Sequence, residues 1–114
     1  MARENEAAVE AHFRRAVKRL GGYTMKLVPS DKGAPDRLVL LPGGGIRLVE
    51  VKRVGGRLSR AQHYWINRAA HLGTPIDVVV GKSGVDKWAR AQKRDLQAER
   101  SSTDYPVVEV FYYG

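Results

Sequence analysis

Apolar positions that recur every three or four residues predict three helices. The first is expected over residues 5–20 and ends at Gly21-Gly22, a typical C-terminal cap. The second begins after Ser59 and ends at Gly73, and the third, which is basic and weakly amphipathic, covers about residues 85–99. The apolar stripe of the first helix is formed by Val9, Phe13, Ala16, Val17 and Leu20.

Short apolar segments between the helices predict four strands. Residues 36–41 and 46–53 are joined by Pro42-Gly43-Gly44-Gly45, a glycine-rich turn that indicates a β-hairpin. Residues 23–28 precede the hairpin, and residues 76–80 form a nearly continuous apolar run, typical of a strand buried on both faces. Because a helix separates the last two strands, we expect a right-handed crossover between parallel neighbours. The pattern predicts an α/β domain with a mixed, mostly antiparallel sheet flanked by helices.

The C-terminal part of the chain differs from this pattern. A polar break at residues 101–104 precedes an apolar and aromatic segment at residues 107–112. This segment predicts a strand-like tail, which we expect to dock at a subunit interface or on a sheet edge. Because no repeat is present and no second domain is indicated, residues 1–114 are interpreted as a single domain.

Composition narrows the classes of function. The chain has no run of eighteen apolar residues, so we expect no membrane span. Absence of cysteine excludes disulfides, fits a reducing cytoplasm and, with three scattered histidines, makes a structural zinc site implausible. A net charge of +8 and a pI of about 10.1 favour a polyanionic partner.

Candidate catalytic residues lie at the open end of the predicted hairpin. Residues two apart in a strand share a face, so Glu50 and Lys52 project together. A turn centred on residues 43–44 places Asp36 opposite about position 51, within reach of both. Two carboxylates can hold Mg²⁺, and a lysine can orient or deprotonate water and stabilise charge on phosphate. This arrangement favours metal-dependent hydrolysis of a phosphodiester.

Each of these residues also has a purely structural interpretation. Asp36 follows Pro35, where aspartate is common in turns. Glu50 fits an exposed strand position paired with a neighbouring base, and Lys52 is one of 20 basic residues. The combination and its spacing, rather than any single residue, favour metal ligation by Asp36 and Glu50.

Two helical residues have alternative interpretations. Gln62 lies three residues after Ser59, so the pair forms a capping-box pattern that needs no catalytic role. Glu6 falls inside the apolar stripe of the first helix, where a carboxylate requires a partner, although an acid also suits the first turn. Glu10 lies at the edge of the same stripe and is the alternative acid if the register is shifted by one turn.

Together these residues resemble the VRR-NUC family of the PD-(D/E)xK nuclease superfamily, in particular its small phage-encoded, stand-alone members. The resemblance rests on Glu6, the Gly-Ala-Pro-Asp-Arg segment at residues 33–37, Glu50-Val51-Lys52 and Gln62. It covers about residues 4–92 and leaves residues 93–114 as a C-terminal extension. It implies a restriction-endonuclease-like core in the order α-β-β-β-α-β, followed here by a helix and the tail.

The resemblance also implies roles for individual residues. The catalytic set would be Asp36, Glu50, Lys52, Glu6 and Gln62. The ligands of Mg²⁺ or Mn²⁺ would be Asp36, Glu50, the backbone carbonyl of Val51 and, through water, Glu6 or its alternative Glu10. Basic residues that should flank this end of the hairpin are expected to contact DNA phosphates: Lys26, Lys32, Arg37, Arg53, Arg57 and Arg60.

The expected function is that of a metal-dependent DNA endonuclease without a small-molecule cofactor. Stand-alone members of the family that this chain resembles look like Holliday-junction resolvases, so the resemblance implies a homodimer that cuts branched DNA in the cytoplasm of a bacterium or phage-infected cell. Three alternatives stay open from the sequence. They are a DNA-binding module of the same fold that does not cut, a general nicking nuclease, and a small RNA-associated protein with a fortuitous acidic cluster.

Overall fold

Within residues 4–98, the chain forms three helices and four strands in the order that the hydrophobic pattern predicts. The structure is a computed structural model that describes residues 4–98, 108–110 and 112. The elements are α1 (Glu6–Arg19), β1 (Tyr23–Lys26), β2 (Arg37–Leu41), β3 (Gly45–Lys52), α2 (Arg60–His71), β4 (Ile76–Val80) and α3 (Gly81–Ala98). In the described residues, no helix is long and apolar enough to cross a membrane.

Side-chain contacts with backbone N–H groups explain where α1 and α3 begin. Asn5 caps α1 by accepting a hydrogen bond from the backbone N–H of Ala8 at 2.8 Å. α3 begins at Gly81, directly after β4, rather than near residue 85 as predicted. The first turn of α3 has no apolar pattern that would predict a helix there. It is supported instead by the Glu4 carboxylate, which accepts a hydrogen bond from the backbone N–H of Lys82 at 3.2 Å. This contact joins residues far apart in sequence, so periodicity does not reveal it.

The four strands form one mixed sheet in the order β1-β2-β3-β4. β1, β2 and β3 are antiparallel neighbours, and β4 is parallel to β3, as predicted. The hairpin pairs Leu41 with Gly45 and Arg37 with Val49. If this register continues by one residue, Asp36 lies opposite Glu50 rather than position 51. The shift arises because the turn contains three residues, 42–44, and not two.

The main core lies between one face of the sheet and the helices α1 and α3. Phe13 and Trp88 pack there with their ring centroids 4.9 Å apart. The His12 side chain forms a hydrogen bond with the Asp86 carboxylate at 2.7 Å, and the Trp88 indole N–H donates to Asp77 at 2.9 Å. These contacts fix α3 against both α1 and β4.

The opposite face of the sheet is only partly covered. α2 packs next to β4, but Val78 and Val80 remain 40% and 44% exposed. The prediction that this strand is buried on both faces is therefore wrong, because β4 is an edge strand and α2 leaves part of its outer face free. The predicted mixed four-stranded sheet flanked by helices is confirmed.

Most of the predicted C-terminal tail lies outside the described residues. Residues 108–110 and 112 have no strand assignment, and the side chains of Val108, Val110 and Tyr112 are exposed. At these positions the strand-like conformation that the sequence predicted is not observed. The polar break at residues 101–104 is not described.

Candidate active site

The loop that leads to the hairpin packs on the beginning of α2. Gly33 adopts a φ of +83°, and a Cβ atom at this position would overlap the backbone of Ala61. The Trp65 indole N–H donates to the backbone carbonyl of Lys32 at 3.0 Å. The glycine and the tryptophan thus hold the loop against the first turns of α2.

The open end of the hairpin places Asp36 beside Glu50. Asp36 comes directly before β2, and its carbonyl accepts a hydrogen bond from the backbone N–H of Leu27 at 2.6 Å. Glu50 is only 5% exposed, although it is a charged residue near the end of β3. Lys52 follows two residues later on the same face, as the sequence predicts.

Glu50 has an unusual electrostatic environment. Burial raises the pKa of its carboxyl from 4.5 to about 7, and the nearby charge of Asp36 acts in the same direction. The ammonium group of Lys52 opposes this change, and the carboxylate of Glu6 adds a smaller increase to the pKa. Three charged groups, from the residue before β2, from β3 and from α1, therefore act on the buried Glu50 carboxyl, and negative charge is in excess.

Gln62 links the beginning of α2 to this carboxylate. Its side-chain oxygen accepts from the backbone N–H of Ser59 at 2.8 Å, which completes a capping box. The Nε2 group of the same side chain donates to Oε2 of Glu50 at 3.4 Å. The capping and active-site interpretations of Gln62 are therefore compatible.

Glu6, rather than Glu10, is the helical acid that reaches the site. Its carboxylate lies 4.0 Å from Nζ of Lys52, at the outer limit of an ion pair. Its side chain is half exposed, which fits the first turn of α1 better than the buried apolar stripe. Glu10 forms no ion pair with any described residue.

Comparison with known proteins agrees with this geometry. The family model of the VRR-NUC domain matches residues 2–83. The chain belongs to the VRR-NUC family. A solved structure titled "VRR_NUC domain" is similar with a TM-score of 0.69 and 33% sequence identity, over 75% of this chain and 94% of that chain.

A curated phage protein shows a shorter similarity to this VRR-NUC domain. It is named "Putative nuclease p44" and comes from Acyrthosiphon pisum secondary endosymbiont phage 1. It is 45% identical over 51 residues, which are 44% of this chain and 55% of that protein. The match thus spans about half the length of the phage protein.

The donors that this VRR-NUC domain offers to a metal ion are few. In the part of the chain that the structure describes, no group of three or more His, Cys, Asp and Glu side chains is arranged to hold one. Asp36 and Glu50 provide two carboxylates, and the backbone carbonyl of Val51 lies between Glu50 and Lys52. This set fits Mg²⁺, which often binds through one or two carboxylates and keeps water or substrate phosphates as its other ligands. The excess negative charge around Glu50 also favours a cation.

The residues predicted to contact DNA fall into two groups. Five have exposed side chains around the active end of the hairpin: Lys26, Lys32, Arg53, Arg57 and Arg60. Arg37 differs because it is 4% exposed, and its Nε atom has no hydrogen-bond partner among the described residues. Its burial does not fit a surface contact with phosphate. The signal was present in the sequence, since strand alternation places Arg37 on the same face as Val39 and Leu41.

Two contacts that support the site were not predicted from the sequence. They are the packing of Gly33 on Ala61 and the hydrogen bond from Trp65 to the loop. The Trp65 side chain is partly buried. Its polar atom nevertheless has a specific structural role, because it holds the segment that carries Asp36.

Proposed function

We propose that this VRR-NUC domain is a metal-dependent DNA endonuclease. The observation that carries the proposal is the convergence of Asp36, Glu50 and Lys52 at one end of the hairpin, where Glu50 is buried and its pKa is raised to about 7. A carboxyl group with a strongly perturbed pKa beside a second acid and a lysine is typical of a catalytic site. The nuclease name of the phage relative supports the same reaction class.

The chemistry follows from the groups that the site offers. Asp36, Glu50 and the carbonyl of Val51 would hold Mg²⁺ or Mn²⁺, which would supply a water of lowered pKa and neutralise charge on phosphate. Lys52 is placed to orient the attacking water or accept its proton, and to stabilise the charge that develops on the phosphate. Glu6 restrains the Lys52 ammonium group, and Gln62 holds one oxygen of Glu50.

We infer further that the substrate is branched DNA and that the domain acts as a homodimer in the cytoplasm. Two active sites on one assembly allow both strands of a junction to be cut symmetrically. An exposed apolar row across three strands, Tyr23, Leu40 and Ile46, offers a surface for a second copy. The row runs near the turn of the hairpin, so the active end stays accessible when the row is covered.

Cleavage assays test this proposal directly. A labelled four-way junction, a flap, a linear duplex and a supercoiled plasmid would each be incubated with the protein in Mg²⁺ or Mn²⁺. We expect wild type to cut, with the junction preferred. Asp36→Asn and Lys52→Met should reduce the rate at least 100-fold because they remove a ligand and the group that activates water.

The controls separate the alternatives. Thermal unfolding of each variant shows whether lost activity reflects lost structure, and Lys18→Met removes an exposed lysine in the last turn of α1, outside the catalytic and DNA-contact sets. Equal cutting of the plasmid and the junction would indicate a general nicking enzyme. DNA binding without cutting by wild type in either metal would leave a binding module, and preferential binding of RNA in competition would refute the DNA assignment.

A further inference from the structure

The helix α3 presents a basic face that none of the functional assignments above uses. The face is formed by Lys87, Arg90, Lys93, Arg94 and Gln97, which together line one open region of the surface. All five side chains are exposed. At about 100° per residue, they fall within an arc of roughly 120° on the helix. Asp86 lies in the same arc at its N-terminal end, and this carboxylate is already paired with His12.

This face is held in a defined position relative to the active site. β4 is parallel to β3, and Val80 lies opposite Lys52, so α3 begins beside the active end of the sheet. His12 and Trp88 anchor the first half of the helix to α1 and β4. At 1.5 Å per residue, the basic groups lie about 9 to 20 Å along α3 from its first residue, and Gln97 lies at about 24 Å.

The sequence match of the family stops where this face begins. The family model ends at residue 83, the third residue of α3, so the basic positions of this face are outside the matched region. The helix carries five basic residues and two acids, and its larger apolar side chains are packed against the core on the opposite side. Four cations on one exposed face repel one another, which favours a polyanion as the group that covers them.

We propose that the α3 face, defined by Lys87, Arg90, Lys93, Arg94 and Gln97, binds the phosphate backbone of a duplex DNA arm that extends from the active site. This inference rests on the proposed function, since it assigns a second contact to the same substrate. The spacing suits a duplex, because residues three and four apart on a helix lie about 5 to 6 Å from each other, close to the spacing of successive phosphates. Such contacts provide affinity and orientation without reading sequence.

The reach of the helix sets a minimum arm length. Gln97 lies about 24 Å from the start of α3, which corresponds to about seven base pairs at 3.4 Å per step. An arm of about four base pairs would therefore end before the distal half of the face. An arm of about twelve base pairs would cover it completely.

A triple variant tests the proposal in binding assays without divalent cations. Lys87→Gln, Arg90→Gln and Arg94→Gln together should weaken binding to a substrate with twelve-base-pair arms on the order of 100-fold at 0.1 M salt. The slope of log K against log salt should fall by about 2 to 3, which is about 0.9 per lost phosphate contact. With four-base-pair arms, the loss of affinity should be much smaller. Gln97→Lys should act in the opposite direction and increase the slope by about 0.9.

A matched variant controls for the loss of net charge. Lys18→Gln, Arg19→Gln and Arg68→Gln remove the same charge from exposed positions in the last turns of α1 and α2. The proposal is overturned if this control weakens binding as much as the α3 variant does, or if the α3 variant binds long and short arms with equal loss. Cleavage by wild type is measured in parallel with Mg²⁺. If wild type cuts DNA but the salt slope of the α3 variant equals that of wild type, only the α3 contact is refuted. If wild type does not cut, the proposed function is refuted. The binding data then decide the α3 contact independently.

Discussion

Gln62 combines two roles at the residue scale because its side-chain amide has two ends. The oxygen accepts from the N-cap of α2, and the nitrogen donates to Glu50. A glutamate at the same position would complete the capping box equally well. It would, however, replace the donor with an oxygen that repels the Glu50 carboxylate. The contact with Glu50 therefore favours glutamine over glutamate at this position, whereas the helix cap does not distinguish the two.

Two variants separate these roles. Gln62→Glu should leave thermal stability nearly unchanged but raise the pKa of Glu50 above about 7, because a further negative charge is placed beside it. Cleavage at pH 7 should fall at least tenfold, and the pH profile should move to higher pH. Ser59→Ala should cost about 1 kcal/mol of stability by removing the cap, with little change in the cleavage rate of the folded protein. If both variants lose activity in proportion to stability, Gln62 has only the capping role.

The raised pKa of Glu50 makes the stability of the metal-free protein depend on pH. The carboxyl ionises near pH 4.5 in the unfolded chain and near pH 7 in the folded one, so the folded state binds more protons between these values. The Glu50 carboxyl makes its full contribution to the free energy of unfolding below pH 4.5, and this contribution is lost as the pH rises through about 7. At about 1.4 kcal/mol per pKa unit, the loss is roughly 3 kcal/mol.

Glu50→Gln should remove this dependence, since the amide does not ionise. In EDTA, the variant should be more stable than wild type at pH 8 and similar to it at pH 4.5, as measured by urea unfolding. Glu10→Gln, a change of the same type on α1, is the matched control. Parallel stability curves for wild type and Glu50→Gln from pH 4.5 to 8 would contradict the assigned environment.

At the scale of elements, the position of Asp36 depends on the contact between its loop and α2. Gly33→Ala introduces a Cβ where the Ala61 backbone lies, at a residue whose φ is +83°. We expect the free energy of unfolding to fall by about 1 to 3 kcal/mol. The cleavage rate of the folded protein should also fall, because the displaced loop moves Asp36. Gly43→Ala is the control, since its φ is +82° but no atom lies near its Cβ position. Equal effects of the two changes on cleavage would show that backbone strain, and not the contact, is responsible.

The elements also show which parts of the molecule can be predicted from the sequence. The hairpin was predictable because its turn, its two apolar runs and the positions of Asp36, Glu50 and Lys52 are set by local spacing. The start of α3 was not, because it depends on a contact from Glu4, 78 residues away. The exposure of Val78 and Val80 likewise depends on how far α2 covers the sheet. Arg37 is an intermediate case, since alternation predicts its burial but its charge suggested the surface.

At the scale of the whole molecule, the uncovered part of the sheet is relevant to assembly. The strand register places Tyr23, Leu40 and Ile46 side by side on three neighbouring strands. They are 63%, 39% and 62% exposed. A continuous apolar row of this kind is a common feature of protein interfaces. If the proposed homodimer forms, this row is the surface we expect it to bury.

Replacing apolar side chains of this row by charged ones tests whether the row forms the subunit interface. Leu40→Lys with Ile46→Lys should convert the dimer to a monomer in light-scattering measurements, because two buried ammonium groups per subunit would have no partner. Paired cuts in a four-way junction should become independent nicks, whereas nicking of a flap should persist because the active end of the hairpin is unchanged. Leu72→Lys, at an apolar position that follows α2 and is about as exposed as Ile46, should leave the mass unaltered. A dimer that survives both substitutions on the row would place the subunit contact on another surface.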